Sequence, residues 1–205
     1  RLSYEGVYYS HIGVWECKKC GTKRPVPDVQ TFPQVLSGLY NQYNTLAAVA
    51  VAKSLHISKD IITTALEDFT PAFGRQEEIE FHGKKIKLFL SKNPTGFNAS
   101  LRTALELGAK EMLLVLNDRI PDGRDVSWIW DVDFEQLSGI KITVSGDRVY
   151  DLALRMQYAD IKNFTVEENL EDAIQKSLPG EKLYILATYS AMLEARKILG
   201  GRKIL

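Results

Sequence analysis

The spacing of apolar and polar residues divides the chain into a short β-rich start, a helical stretch and a long alternation of strands and helices. Apolar residues alternate with polar ones before Cys17, which predicts a β-hairpin within residues 1–24. After Gly38, apolar residues recur at helical spacing as far as Leu55. Ser58 is then predicted to be the N-cap of a second helix, Lys59–Asp68. The chain therefore begins with a hairpin and two helices.

From residue 76 onwards, short apolar strands alternate with amphipathic helices. Glu77–Phe81 and Lys84–Leu90 predict a hairpin that turns at His82-Gly83. The other predicted strands are 111–116, 141–145 and 183–187, and the predicted helices are 98–107, 149–156, 168–177 and 191–199, with the end of a short helix at 134–137. Strands separated by helices are typical of a largely parallel sheet with helices on its faces. The fold class is therefore α/β.

Length and charge exclude some functions. The 205 residues are enough for a sizeable core, and the 26 lysines and arginines balance the 26 aspartates and glutamates. A chain without net charge has no general attraction for nucleic acid, so we expect no nucleic-acid partner. The longest apolar stretch, Thr45–Leu55, contains Lys53 and is shorter than the ~20 residues of a membrane span. We therefore predict no transmembrane segment, and no signal peptide is visible.

The segment Asn117–Asp131 carries the strongest functional signal. Its sequence, NDRIPDGRDVSWIWD, follows a predicted buried strand, and ligand and catalytic groups of α/β sheets lie just past the carboxyl ends of strands. Its charged residues are Asp118, Arg119, Asp122, Arg124, Asp125 and Asp131, and two tryptophans, Trp128 and Trp130, lie near its end. Each aspartate alone is explained better by capping of turn N–H groups. The cluster as a whole favours a site that presents a carboxylate.

Two further motifs and one arginine could bind phosphate or a polar ligand. Asn41 and Asn44 lie in the first turn of the predicted helix after Gly38, and Lys92 and Asn93 lie between a strand and a helix. Arg75 stands between them at a predicted hinge and could clamp a phosphate. Structural alternatives remain open for each. The asparagines could cap the helix, Asn98 could be the N-cap after a Pro-Gly turn, and Arg75 could pair with Glu77 or Glu78.

Cys17 and Cys20 form a CxxC motif in the predicted hairpin. Two thiolates at a hairpin tip are typical of one half of a zinc ribbon, but structural zinc needs four ligands, and His11 is the only nearby substitute. A redox-active pair is less consistent with a hairpin than with the start of a helix. A disulfide is the third alternative. We interpret the motif as half of a zinc site.

Three motifs together resemble the Mur ligase family. GLYNQYNTLAA is similar to the G-x-x-N-x-x-N-x-x-A-A signature of the Mur ligase central domain, and PAFGRQE resembles the hinge into the C-terminal domain. KNPTGFN followed by NDRIPDGRDVSWIWD resembles the MurT branch, the ligase subunit of lipid II isoglutaminyl synthase. The resemblance covers essentially the whole chain. It implies half a zinc ribbon at 1–24, the end of the central domain at 25–75 and a Rossmann-like C-terminal domain at 76–205.

The resemblance also implies a reaction. Such a ligase uses ATP and magnesium to phosphorylate the α-carboxylate of D-glutamate in the stem peptide of lipid II, and ammonia then displaces phosphate to give D-isoglutamine. A separate glutaminase subunit, GatD, supplies the ammonia and takes its triad aspartate from the ligase subunit, which maps to Asp125. The expected location is the cytoplasm, at the membrane surface.

Other residues are assigned by the same resemblance. Asn41, Asn44, Arg75, Lys92 and Asn93 map to positions that face the nucleotide, and Cys17 and Cys20 map to a four-cysteine zinc ribbon. The family's phosphate loop, magnesium carboxylates and first CxxC are expected before Arg1, so this chain alone is expected to be inactive. A ligase of the folylpolyglutamate type and a non-catalytic interaction module are the alternatives.

Overall fold

The chain folds into a β-hairpin, two helices and a three-layer α/β unit. The computed structural model describes residues 1–9, 12–30, 32–72, 74–177 and 182–200, with residues 7–9 and 12 described through their backbone only. The strands are β1 Leu2–Tyr9, β2 Ile12–Cys17, β3 Arg75–Phe81, β4 Lys84–Leu90, β5 Glu111–Val115, β6 Lys141–Ser145, β7 Phe164–Val166 and β8 Lys182–Ala187. The helices are α1 Leu39–Ser54, α2 Lys59–Glu67, α3 Pro94–Glu106, α4 Val149–Tyr158, α5 Leu170–Lys176 and α6 Tyr189–Ile198.

A mixed, largely parallel sheet forms the centre of the larger unit. Its strand order is β3-β4-β8-β5-β6-β7. The edge strand β3 is antiparallel to β4, and every other neighbouring pair in this sheet is parallel. The last strand, β8, lies between β4 and β5, so the chain reverses its direction across the sheet after β7. The loops after β5 and β8 therefore start from neighbouring strand ends, which is where open α/β sheets bind ligands.

Helices cover both faces of this sheet. On one face, α3, α4 and two 3₁₀ turns, Ser127–Asp131 and Phe134–Leu137, pack around Phe97, Phe134 and Met156. On the other face, α5 and α6 pack on a second apolar cluster. Strand β5 is buried along its whole length, as its apolar sequence predicted. The α/β fold class is therefore confirmed.

Gln76 of β3 and Gly38 hold the helical stretch close to the larger unit. Gln76 is buried, its side chain donates to the carbonyl of Ser37 at 2.6 Å, and it accepts the Ser37 N–H at 3.1 Å. At Gly38, where φ is 94°, a Cβ atom would lie 2.3 Å from Oγ1 of Thr103 in α3. Glycine therefore lets the start of α1 approach α3 closely.

Most predicted elements agree with the structure, and several boundaries differ, among them the starts of β3 at Arg75 and α6 at Tyr189, each two residues earlier than predicted. His82 and Gly83 form the predicted hairpin turn, both with positive φ, and Ser58 caps α2 through the N–H of Ile61. The helix predicted from Asn98 begins at Pro94, because Asn93 is its N-cap and proline is well suited to a first turn. The helix predicted from Glu168 begins at Leu170. The short edge strand β7 was not predicted.

The division of the chain at residues 24 and 75 stays a prediction. Within the described residues, no helix is long and apolar enough to cross a membrane.

Candidate functional site at the carboxyl edge of the sheet

Asn117, the first residue of the segment Asn117–Asp131, ties three strand ends together. Its buried side chain accepts the N–H of Asp147 after β6 at 2.9 Å and donates to Oγ of Ser190 in α6 at 3.1 Å. Its own N–H donates to Oγ1 of Thr188, directly after β8, at 2.9 Å. At Gly146, where φ is 104°, a Cβ atom would lie 2.5 Å from the carbonyl oxygen of Leu116. This close packing gives the following loop a fixed starting point.

Asp122 caps a helix that lies far away in the sequence. Thr188 holds the N-cap position of α6, but its hydroxyl accepts the Asn117 N–H and makes no cap hydrogen bond. Asp122 replaces it: its carboxylate accepts the N–H of Ser190 at 2.8 Å and a short hydrogen bond from the Ser190 hydroxyl. The sequence had offered each aspartate only a role in capping turn N–H groups of its own loop, whereas Asp122 caps a helix that lies 68 residues away.

Asp125 presents an exposed carboxylate from the same loop. Its Oδ1 accepts the N–H of Ser127 at 2.8 Å, which fixes the side chain at the start of the 3₁₀ turn Ser127–Asp131. The hydrogen bonds from the backbone and the side chain of Ser127 hold the pKa of Asp125 below its ordinary value. The group is therefore an oriented, ionised carboxylate near neutral pH, with one oxygen held by the turn.

Two aromatic residues and a buried arginine support the 3₁₀ turn. Trp128 packs beside Phe97 of the core, with 6.0 Å between the ring centroids. Arg155 of α4 is buried, donates to the carbonyl of Val132 at 2.6 Å and forms an ion pair with Glu135 at 2.9 Å. The loop that carries Asp125 thus rests on packed and hydrogen-bonded structure.

Ion pairs line a cleft beside this loop. Arg119 forms a two-point hydrogen bond with Asp147, at 2.7 and 3.0 Å, and contacts Glu194 at 3.0 Å. The cleft is about 670 Å³ and lies beyond the carboxyl ends of β5, β6 and β7, with Asn117, Arg119, Tyr150, Asn169 and Lys197 among its lining residues. Because Arg119 is already paired with two carboxylates, its charge is largely neutralised within the site.

The five residues predicted to bind a nucleotide differ in how available they are. Asn41 is buried and donates to the carbonyl of Ser37 at 2.8 Å, so its amide supports the start of α1. Asn93 accepts the N–H of Gly96 at 2.8 Å as the N-cap of α3. Asn44, Arg75 and Lys92 have exposed side chains. Asn93 is exposed as well, but its carbonyl oxygen is used by the cap, so the last three are better placed to reach a ligand than the first two.

The two cysteines are free thiols at the end of the hairpin. Cys17 is half-buried and Cys20 is exposed, and Sγ of Cys20 lies 3.2 Å from Oγ1 of Thr22. Hydrogen bonds from Thr22, together with one from Cys17, hold the pKa of Cys20 below its ordinary value, which favours the thiolate that a metal needs. No group of three or more potential metal ligands occurs among the described residues, and His11 lies outside them.

Comparisons with known proteins agree with the motif assignment. The family model of the MurT ligase C-terminal region matches residues 90–192. The chain belongs to the MurT ligase family. It is 34% identical to the MurT subunit of lipid II isoglutaminyl synthase of Streptococcus pneumoniae, over 99% of this chain and 52% of that protein. For the corresponding Staphylococcus aureus subunit, 34% identity covers 86% of this chain and 45% of that protein. The chain thus spans about half the length of these relatives.

Solved structures show the same fold at lower identity. A pseudomurein peptide ligase of Methanothermus fervidus superposes with a TM-score of 0.67 and 21% identity, covering 97% of this chain and 47% of that one. A folylpolyglutamate synthase of Mycobacterium tuberculosis gives a TM-score of 0.59 and 18% identity, covering 82% and 42%. Because ligases with different substrates share this architecture, the fold alone does not identify the substrate of this MurT-family chain.

Several residues of the site had no clear sequence signal. Asp147, Thr188 and Ser190 come from distant parts of the chain, and only the sheet order places them beside Asn117. Gly146 carried one usable signal, because glycine directly after a buried strand often marks a close backbone approach.

Proposed function

We propose that this chain is part of the ligase subunit of a glutamine-dependent lipid II isoglutaminyl synthase. In this proposal the parent enzyme uses ATP to activate the α-carboxylate of D-glutamate in the stem peptide, and ammonia replaces the phosphate. The curated relatives bear this enzyme's name, and the matches extend over 86–99% of the chain. The enzyme would act in the cytoplasm, on lipid II at the inner face of the membrane.

The single observation that carries the proposal is the geometry of Asp125. A triad needs a fixed carboxylate that orients a histidine and stabilises it when the histidine is protonated. Asp125 is exposed and ionised, and it is held in one orientation by Ser127. Asp118, by contrast, contacts Arg148 at 3.2 Å, and Asp122 is used by Ser190. We therefore assign Asp125 as the residue that completes the cysteine–histidine site of a glutaminase partner, GatD.

ATP binding would use the residues that remain available around the hinge and the loop after β4. Lys92 and Arg75 are exposed cations that suit phosphate oxygens, and Asn44 offers an exposed amide. Asn41 and Asn93 would act indirectly, by holding the starts of α1 and α3. The magnesium carboxylates would belong to another part of the parent enzyme, as the resemblance to Mur ligases implies.

Zinc would be held by Cys17 and Cys20 together with two ligands from elsewhere in the parent enzyme. The lowered pKa of Cys20 suits a thiolate ligand, and both thiols are free. The role is structural, because a four-ligand site leaves no open position for a substrate.

A glutamine-independent peptide ligase is the second candidate, since a folylpolyglutamate synthase shares the fold. Such an enzyme has no use for a carboxylate held at the protein surface for a second subunit. The exposure of Asp125 and the match of the MurT model to residues 90–192 therefore favour the amidotransferase.

The test replaces Asp125 by asparagine in the full-length ligase subunit and assays it with its glutaminase. The amide oxygen of Asp125→Asn can still accept the Ser127 N–H, so the turn and the association should persist. Glutamine hydrolysis should fall by about 10³–10⁴, the usual loss when a triad aspartate is neutralised. Amidation with added ammonia should keep the wild-type rate, because the ligase chemistry does not use Asp125.

Asp131→Asn is the matched control, because Asp131 is also exposed and lies at the other end of the same 3₁₀ turn. It should leave both activities unchanged. Equal losses with glutamine and with ammonia would move Asp125 into the ligase site. Unchanged activity with both donors would reduce it to a turn residue.

A further inference from the structure

The outward face of α4 carries a stripe of exposed side chains with large apolar parts. All ten of its residues are described, and the exposed ones are Tyr150, Leu154, Gln157 and Tyr158. Tyr150, Leu154 and Tyr158 are spaced by four residues, so they lie in one line along the helix. Their exposed fractions are 65%, 47% and 72%. The charged side chain beside them is that of Asp151, which is 41% exposed and pairs with Arg148 at 2.7 Å. Exposed helix faces normally carry more charge than this, so the composition needs a reason.

Trp130 extends the stripe towards the loop that carries Asp125. It is 47% exposed, and its ring meets that of Tyr158 edge to face, with 5.2 Å between the centroids. The guanidinium carbon of buried Arg155 lies 5.7 Å from the Trp130 ring centroid, and Glu135 and backbone carbonyls hold that arginine in place. The aromatic strip is defined as Trp130, Tyr150, Leu154 and Tyr158, and these contacts hold its Trp130–Tyr158 end in place without a partner. Such preorganisation lowers the entropic cost of binding.

We propose that the aromatic strip is the docking surface for the glutaminase subunit, an inference that rests on the proposed function. Asp125 and Trp130 lie five positions apart in the sequence. Because the 3₁₀ turn is shorter than extended chain, the distance between their Cα atoms is less than ~16 Å. A partner that uses the Asp125 carboxylate must cover the surface around it. A standard interface buries about 800 Å² on each side, which corresponds to a disc of roughly 16 Å radius. Trp130 falls within that disc.

The size and composition of the strip fit such an interface. With aromatic side chains contributing about 150–250 Å² each, the exposed parts of its three aromatic rings amount to on the order of 400 Å², about half of one side of a standard interface. Tryptophan and tyrosine are also the residues that most often dominate binding energy at protein interfaces. The partner surface should therefore present an apolar patch beside its catalytic histidine, with few charges at the centre.

The experiment measures the dissociation constant between the full-length ligase subunit and the glutaminase subunit. Leu154→Arg places a charge at the centre of the strip, and Tyr158→Ser removes one ring. Each should weaken binding at least ~30-fold, the size of effect seen at interface hot spots. The control is Val166→Arg on β7, where the exposed fraction is 40%, close to that of Leu154. It should bind as the wild type does.

Two further measurements separate docking from folding and from catalysis. Melting temperatures and ammonia-dependent amidation should be unchanged in both strip variants, because the altered side chains are exposed. Asp125→Asn should bind the glutaminase within about 3-fold of the wild type, since it removes a charge without a change of shape. Docking and triad chemistry would then fail in different variants.

The outcomes distinguish this inference from the proposed function. Wild-type binding by both Leu154→Arg and Tyr158→Ser would overturn the docking surface and leave the proposed function standing. If sedimentation shows that the wild-type subunit self-associates and that Leu154→Arg and Tyr158→Ser do not, while glutaminase binding is unchanged, the strip contacts a second copy of the chain. That result would also overturn the inference. No binding between the wild-type subunits would overturn both.

Discussion

Removal of the Asp122 carboxylate should destabilise the chain by freeing the start of α6. Asp122→Ala eliminates the acceptor for the Ser190 N–H, at 2.8 Å, and for the Ser190 hydroxyl. Thr188 cannot take over the cap, because its hydroxyl is already used by the N–H of Asn117. The first turn of α6 would then depend on water for these hydrogen bonds.

The size of the effect follows from the type of contact. Replacement of an aspartate N-cap by alanine costs about 0.5–2 kcal/mol, and the attraction between a carboxylate and the helix dipole adds about 0.3–1 kcal/mol. Asp122 is half-buried and makes two hydrogen bonds, so we expect a loss of about 2 kcal/mol. Asp122→Asn keeps the acceptor for the N–H but loses the charge, and it should cost about 1 kcal/mol.

Urea unfolding at neutral pH measures these values directly. The alanine variant should show a lower midpoint with an unchanged slope, and its melting temperature should fall by about 4–8 °C for a chain of this size. Asp131→Ala is the control and should stay within about 0.5 kcal/mol of the wild type, because its side chain is exposed. A loss below about 0.5 kcal/mol for Asp122→Ala would refute the role of Asp122 as the cap of α6.

Three further outcomes are expected. The isolated 205-residue chain should not hydrolyse ATP. ATP hydrolysis by the highly purified chain would contradict this if the Asn44→Ala variant lacks the same activity. Metal analysis should find weak, substoichiometric zinc, because Cys17 and Cys20 supply two ligands, and one tightly held zinc per chain would point to further ligands. A hydrogen bond from Arg148 holds the pKa of Asp151 in the folded protein below its ordinary value. The ionised Asp151 therefore stabilises the fold above the pKa that it has in the unfolded chain, and this stabilisation is lost as the pH falls through its pKa in the folded protein. Asp151→Asn should therefore flatten the acid limb of the stability profile, and an identical acid limb in the two proteins would contradict this.

Local sequence signals predicted the elements whose causes are local. The turn at His82-Gly83 needs two residues that tolerate positive φ, and the cap at Ser58 lies beside the helix that it serves. Strand β7 was missed because it has three residues, too few for a periodic pattern. The start of α3 was misplaced because two asparagines flank its first turn, and only the fold shows that Asn98 instead contacts the backbone at residues 131 and 133.

The candidate site shows where local reasoning ends. The acidic segment was correctly placed at the end of a buried strand, but residue type and spacing alone could not separate its aspartates, and it was the family resemblance that singled out Asp125. The sheet order distinguishes them. Since β8 lies beside β5, Asp122 meets Ser190 at the start of α6, and the Arg148 side chain reaches Asp118. Among the described residues, Asp125 contacts neither of these partners, and the N–H of Ser127 in its own turn holds it. A carboxylate that is fixed by local structure and left exposed by the tertiary fold is available to a second protein, and this is the physical basis for assigning it a role in trans.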